Sequence, residues 1–125
     1  MNHLAEQIIG CALDVHCELG PGILESAYEA CLTLVLLEHG LKVERQKVLP
    51  LTFRDQILDC GYRIDLMVED SVIVEVKSVE KLERVHRSQL LSYLRLSDRK
   101  LGLLMNFNVR LLKEGIKRVV NGFPE

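Results

Sequence analysis

Tyr62-Arg-Ile-Asp-Leu-Met-Val-Glu-Asp-Ser-Val-Ile-Val-Glu-Val-Lys-Ser78 is the stretch that decides the fold. Two apolar runs, Ile64–Val68 and Val72–Val76, flank the polar turn Glu69-Asp70-Ser71, which predicts a β-hairpin. Side chains alternate across a strand, so Glu75 and Lys77 share one face while Val74 and Val76 pack on the other. Asp65 lies on the partner strand, about as far from the turn as Glu75, and the two carboxylates are expected near each other across the ladder. Two unit charges about 4 Å apart repel by roughly 4 kcal/mol at an effective dielectric of about 20. A divalent cation between them reverses that sign, and hard oxygen ligands favour Mg²⁺ or Mn²⁺ over zinc.

Asp65 followed, after nine intervening residues, by Glu75-Val76-Lys77 resembles the signature of the PD-(D/E)XK nuclease superfamily. Upstream, Gly22-Ile23-Leu24-Glu25-Ser26-Ala27-Tyr28 is similar to the pattern that names the GxxExxY family, a branch of that superfamily, and Val15-His16 and Leu19-Gly20-Pro21 precede it. Gln89 and Tyr93, Leu103-Leu104-Met105-Asn106-Phe107 and Gly115-Ile116-Lys117-Arg118 continue the resemblance across nearly the whole chain. Ile64 stands where the superfamily's name has proline.

The resemblance implies an α/β (α+β), restriction-endonuclease-like core: a mixed sheet, an antiparallel meander plus a parallel strand, flanked by helices. It also implies a metal-dependent nuclease acting on DNA or RNA. Mg²⁺ or Mn²⁺ would be held by Asp65, Glu75 and the main-chain carbonyl of Val76, with Glu25, matching the superfamily's helical acid, helping through its outer shell. Lys77 would position or deprotonate the attacking water, and Gln89 would orient substrate or water. Tyr28, Arg63, His86 and Tyr93 are the further candidates for contact with substrate. The alternative is a nucleic-acid- or protein-binding module that keeps the fold without turnover. Without the flanking motifs, Glu75 and Lys77 read as a surface ion pair worth about 0.2–1 kcal/mol.

Length sets the scale: 125 residues make one domain, too short for a catalytic unit plus a separate reading module. Hydrophobic residues at 48% and charged ones at 27% are ordinary for a globular chain and argue against disorder. The longest apolar tract, Cys31–Leu37, is far short of the ~20 residues a bilayer needs, and no basic region leads into a hydrophobic block at the N-terminus. A cytoplasmic protein without membrane contact is expected, with Cys11, Cys17, Cys31 and Cys60 as reduced thiols because none form a Cys-x-x-Cys pair. The net charge is −2, but residues 1–80 hold 6 basic against 14 acidic residues and residues 81–125 hold 10 against 4. A basic last third can meet phosphates while the acidic part holds metal; the alternative is a solvated surface with no convergence. No aromatic-rich platform for stacking single strands is visible in the order of residues. So small a unit needs a second copy to cut two strands at once, which makes a homodimer the expectation.

Along the chain, Leu4, Ile8, Cys11, Ala12, Val15 and Leu19 recur at helical spacing, and Gly20-Pro21-Gly22 ends that helix. His16, beside this stripe, reads as a packed, hydrogen-bonded imidazole. A second helix is expected over Leu24–His39 with Gly40 as its left-handed cap. Leu41–Glu44 lead into a β region in which Val48–Phe53 reads as an edge strand, Arg54-Asp55-Gln56 as a turn and Ile57–Met67 as the return strand, with Gly61 as a bend. A third helix over Leu82–Leu96, a buried parallel strand over Leu101–Phe107 and a last strand over Gly115–Asn121 complete the expected order.

Overall fold

The computed structural model describes residues 2–122. Helix α1 spans Asn2–Leu19 and α2 spans Glu25–Glu38; strands β1 (Val43–Val48), β2 (Leu51–Phe53), β3 (Gln56–Leu58), β4 (Arg63–Val68) and β5 (Val72–Lys77) follow. Helix α3 (Arg84–Ser97), β6 (Leu101–Asn106), a 3₁₀ turn (Leu112–Gly115) and β7 (Ile116–Val120) complete the chain. The main sheet has the order β1-β4-β5-β6-β7, with β5 and β6 parallel and every other pair antiparallel. This is the mixed, helix-flanked, restriction-endonuclease-like architecture that the sequence predicts.

The central strands dictate the layering. All six residues of β6 and five of the six in β5 are buried, as expected of a parallel pair covered on both faces. On one face Leu66, Val74, Val76, Leu103 and Met105 pack against Ala5, Ile8 and Ala12 of α1 and Leu32 and Leu36 of α2. On the other, Met67, Ile73, Leu104 and Val119 pack against Leu90, Tyr93 and Leu94 of α3. Each fully buried aliphatic side chain contributes on the order of 1.5–3 kcal/mol, so this double packing holds β5 as the most fixed strand. Gly102 allows α3 to approach, because a Cβ there would lie 2.8 Å from Leu90.

The first strand differs from expectation. The sheet strand paired with β4 is Val43–Val48, which begins within the expected lead-in Leu41–Glu44 and ends on the first residue of the expected strand Val48–Phe53; Leu49-Pro50 ends it. The segment read as the meander's edge strand instead forms β2, which pairs only with β3 in a separate two-stranded arm. The expected return strand is accordingly broken at residues 59–62, where Gly61 takes φ +85°. Helix α3 begins two residues later than expected, with Glu83 as its N-cap.

Two other local expectations hold, at Gly40 and His16. Gly40 takes φ +79° after α2, the left-handed geometry that closes a helix. His16 is buried and bonds through Nε2 to the Val109 carbonyl at 2.7 Å. All four cysteines are free thiols, Cys11 being buried. Among the described residues no helix is long and apolar enough to cross a membrane.

Candidate metal centre

The β4–β5 hairpin comes apart at its open end. Ladder pairing of β4 with β5 runs from Val68↔Val72 to Leu66↔Val74 and stops there. One residue further, carboxylates take over from carbonyls as acceptors. The Asp65 N–H donates to Glu75 Oε2 at 2.9 Å, and the Val76 N–H donates to Asp65 Oδ2 at 2.8 Å. The two acids therefore bracket one gap between the strands. A residue's N–H and C=O point to the same strand edge, so the Val76 carbonyl opens towards that gap as well.

Burial makes the pair electrostatically tense. Glu75 is 4% exposed, and desolvation, then the charge of Asp65, pushes its pKa up to about 8 against the opposing Asp65 N–H bond and Lys77. Asp65 is also raised, first by burial and further by the charge of Glu29, while the Val76 N–H, Lys77 and Gln46 act the other way. Lys77, half-buried one step beyond Val76, forms no ion pair within 4 Å among the described residues, yet its charge favours both carboxylates.

Helix α2 brings acids to the same end of the sheet. Glu25 in its first turn accepts the Ser78 N–H on Oε2 at 3.0 Å, next to Lys77, and Ser78 Oγ donates to the Ile23 carbonyl at 2.9 Å. Glu29, one turn on, is 6% exposed, pairs with Arg45 at 3.0 Å and accepts Gln46 Nε2 at 2.9 Å. The same Gln46 amide reaches Asp65 Oδ1 at 3.3 Å. Gln46 takes φ +49° in the middle of β1, a conformation that costs a non-glycine residue on the order of 1–3 kcal/mol. That turn of the backbone aims the amide inward. Glu25, Glu29, Arg45, Gln46, Asp65 and Val76 line one cavity of about 360 Å³. Sequence reasoning missed Glu29, Arg45 and Gln46; the one signal available was the i, i+4 spacing of Glu25 and Glu29 on one helix face.

The donor set suits a hard divalent cation. Two carboxylates with raised pKa values share a gap with a main-chain carbonyl, all oxygen, as Mg²⁺ and Mn²⁺ prefer. Among the described residues no three His, Cys, Asp or Glu side chains converge closely enough to hold an ion by themselves. Glu25 and Glu29 are engaged with Ser78 and with Arg45 and Gln46 respectively.

The remaining candidates divide. Gln89 and Tyr93 line a neighbouring cavity of about 450 Å³, together with Tyr62. Tyr28 is fully buried, stacked on Phe107 with centroids 4.6 Å apart; its hydroxyl donates to the Gly20 carbonyl and accepts the Ile23 N–H. It braces the turn before α2 and does not reach the surface. Arg63 pairs with Asp59 at 3.2 Å, and His86 Nδ1 accepts the Glu83 N–H at 2.9 Å in the cap of α3. Neither side chain is directed into the carboxylate gap by these bonds. The fold also brings Tyr62 and Tyr93 together, with ring centroids 5.9 Å apart and planes inclined at 59°.

Comparison with known proteins gives one positive result. A family model described as the PD-(D/E)XK nuclease superfamily matches residues 2–119. No curated protein and no solved structure gives a match.

Proposed function

The chain belongs to the PD-(D/E)XK nuclease superfamily, and from that membership we propose that it is a Mg²⁺- or Mn²⁺-dependent nuclease of the GxxExxY branch, hydrolysing phosphodiester bonds in DNA or RNA. The observation that supports the reading is the pair of bonds across the parted ends of β4 and β5, in which Glu75 accepts the Asp65 N–H and Asp65 accepts the Val76 N–H. A buried Glu75 held so close to the half-buried Asp65 serves no packing purpose, and the two repel whenever both are charged.

Asp65, Glu75 and the Val76 carbonyl would hold the ion, with Glu25 in its outer shell. When bound, a divalent cation supplies Lewis acidity to the phosphate and lowers the pKa of the attacking water. Lys77, on the face of β5 that carries Glu75, positions that water and stabilises negative charge on the phosphoryl oxygens. Glu29 is the distant support: by holding Gln46 it fixes the amide that contacts Asp65. Gln89, at the mouth of the adjoining cavity, orients the strand. We place the protein in the cytoplasm, working as a homodimer where two strands are cut.

The test is cutting of labelled single-stranded, duplex and branched nucleic acids by the wild-type protein and its Lys77→Ala variant, with and without Mn²⁺. Metal-dependent cutting that falls by about 10²–10⁴-fold in the variant, the range of a positioned acid–base group, supports the proposal. Salt-sensitive binding without cutting assigns the chain to the binding-module class instead.

A further inference from the structure

A chamber of about 450 Å³ lies between α3 and the base of the β2–β3 arm, lined by Leu51, Tyr62, Gln89, Tyr93, Arg95 and Leu96. Two of its walls are aromatic, the rings of Tyr62 and Tyr93 being inclined at 59°. Tyr93 is 6% exposed and fixed in the cluster that contains Ile73 and Met67, whereas Tyr62 is 39% exposed and open to solvent. Leu51 and Leu96 extend the apolar surface, Gln89 offers an amide donor and acceptor, and Arg95 places a cation at the exposed rim.

The chamber adjoins the carboxylate gap. Ile73 and Glu75 point to the same side of β5, the side on which Tyr93 packs. The charges of Glu75 and Asp65 also reach the Tyr93 hydroxyl and, after burial, help hold its pKa above the usual phenol value. An aliphatic guest would leave Gln89 and Arg95 unused, and a phosphate alone would leave both rings unused. A flat guest with a π-face for the exposed Tyr62 ring, a hydrogen-bonding edge for Gln89 and an attached anion for Arg95 engages all three. The volume lies within the range of about 300–1,000 Å³ typical of small-ligand sites, too confined for an intact duplex face.

We infer that this chamber takes one unpaired nucleobase of the substrate strand beside the phosphate to be cut, so that single strands, frayed ends or junctions are the substrates. The inference rests on the nuclease reading above and specifies its substrate class. A base in a duplex must leave its stack to enter, and this disfavours continuous duplex. Arg95 meets the phosphate attached to the seated base, and Gln89 reads the base edge.

The test is a binding measurement that needs no turnover. A single strand carrying 2-aminopurine, whose emission falls when it stacks on an aromatic ring, is titrated into the metal-free full chain and into Asp65→Asn, with anisotropy recorded in parallel. Quenching is expected in both proteins and absent with the matched duplex. Tyr62→Ala loses the quench and binds about 5- to 100-fold more weakly, the span that base–aromatic stacking supports, while Tyr62→Phe restores both. Thermal unfolding confirms that each variant is folded. Absence of binding, binding without quenching, or unchanged quenching in Tyr62→Ala overturns the inference. Cutting is assayed separately with Mn²⁺. Quenching without cutting defeats the nuclease reading and leaves the chamber standing; cutting without quenching does the reverse.

Discussion

Glu75 is the residue on which the electrostatics of the site converge, because burial and the neighbouring Asp65 both penalise its charged form. Its pKa rises from 4.5 when unperturbed to about 8 in the fold. The contribution to stability is therefore complete below the unfolded value and is lost as pH rises through about 8. Denaturant midpoints of the metal-free protein are expected to fall from pH 5 to pH 9, whereas Glu75→Gln, which keeps an acceptor without the charge, gives a flatter profile. Parallel profiles would remove Glu75 from this role. Metal must displace that proton, so calorimetric Mn²⁺ affinity is expected to be weaker at pH 6 than at pH 8.5, with proton release on binding at the lower pH. Asp65, Glu75 and Lys77 were legible because strand alternation and the short turn place them within one hairpin. Glu29 was not, since its burial depends on Arg45 and Gln46, 16 and 17 residues further on. Glu29→Ala releases Arg45 and Gln46, both exposed and so open to water, and a loss of about 0.5–1.5 kcal/mol by chemical denaturation is expected, together with weaker metal binding.

Elements were legible where their signal is internal. The buried run of β5, the turn before it and the 3.6-residue periodicity of α1 each announce themselves over a few residues. Strand β1 does not: its residues Val-Glu-Arg-Gln-Lys-Val are largely exposed, as suits the edge of a sheet, and charge there prevents stray pairing while erasing apolar alternation. The more apolar Leu51–Phe53 drew the strand assignment instead, although it pairs only within its own arm. Tyr28 shows the same limit, since its partners Gly20, Ile23 and Phe107 meet only in three dimensions. Tyr28→Phe removes the hydroxyl from two bonds at the entry to α2 and is expected to destabilise the fold by about 1–3 kcal/mol by denaturant titration. Mn²⁺ affinity is expected to stay within about twofold of wild type once the variant is folded, and a wholesale loss would place Tyr28 in the site. Gly102→Ala tests the contact of α3 with the sheet, because its Cβ must displace Leu90 and shift the helix that carries Gln89 and Tyr93. A cost of about 1–3 kcal/mol is expected from overpacking, and an unchanged midpoint would mean that Leu90 yields freely.

At the scale of the molecule, two helices on one face and one on the other clamp β5 so that its C-terminal end can hold acids that a looser sheet would let drift apart. With that clamp, metal binding as proposed would make binding and stability one equilibrium. A ligand that binds only the folded state adds about 2.7 kcal/mol at a hundredfold excess over its dissociation constant, so Mn²⁺ is expected to raise the denaturation midpoint of the wild type. The central claim is that Asp65 and Glu75 together hold one divalent cation, and isothermal titration of Mn²⁺ into wild type, Asp65→Ala and Glu75→Gln at pH 8.5 tests it most directly. One binding event in the wild type, lost in both folded variants, is the predicted result; full affinity in either variant would contradict it.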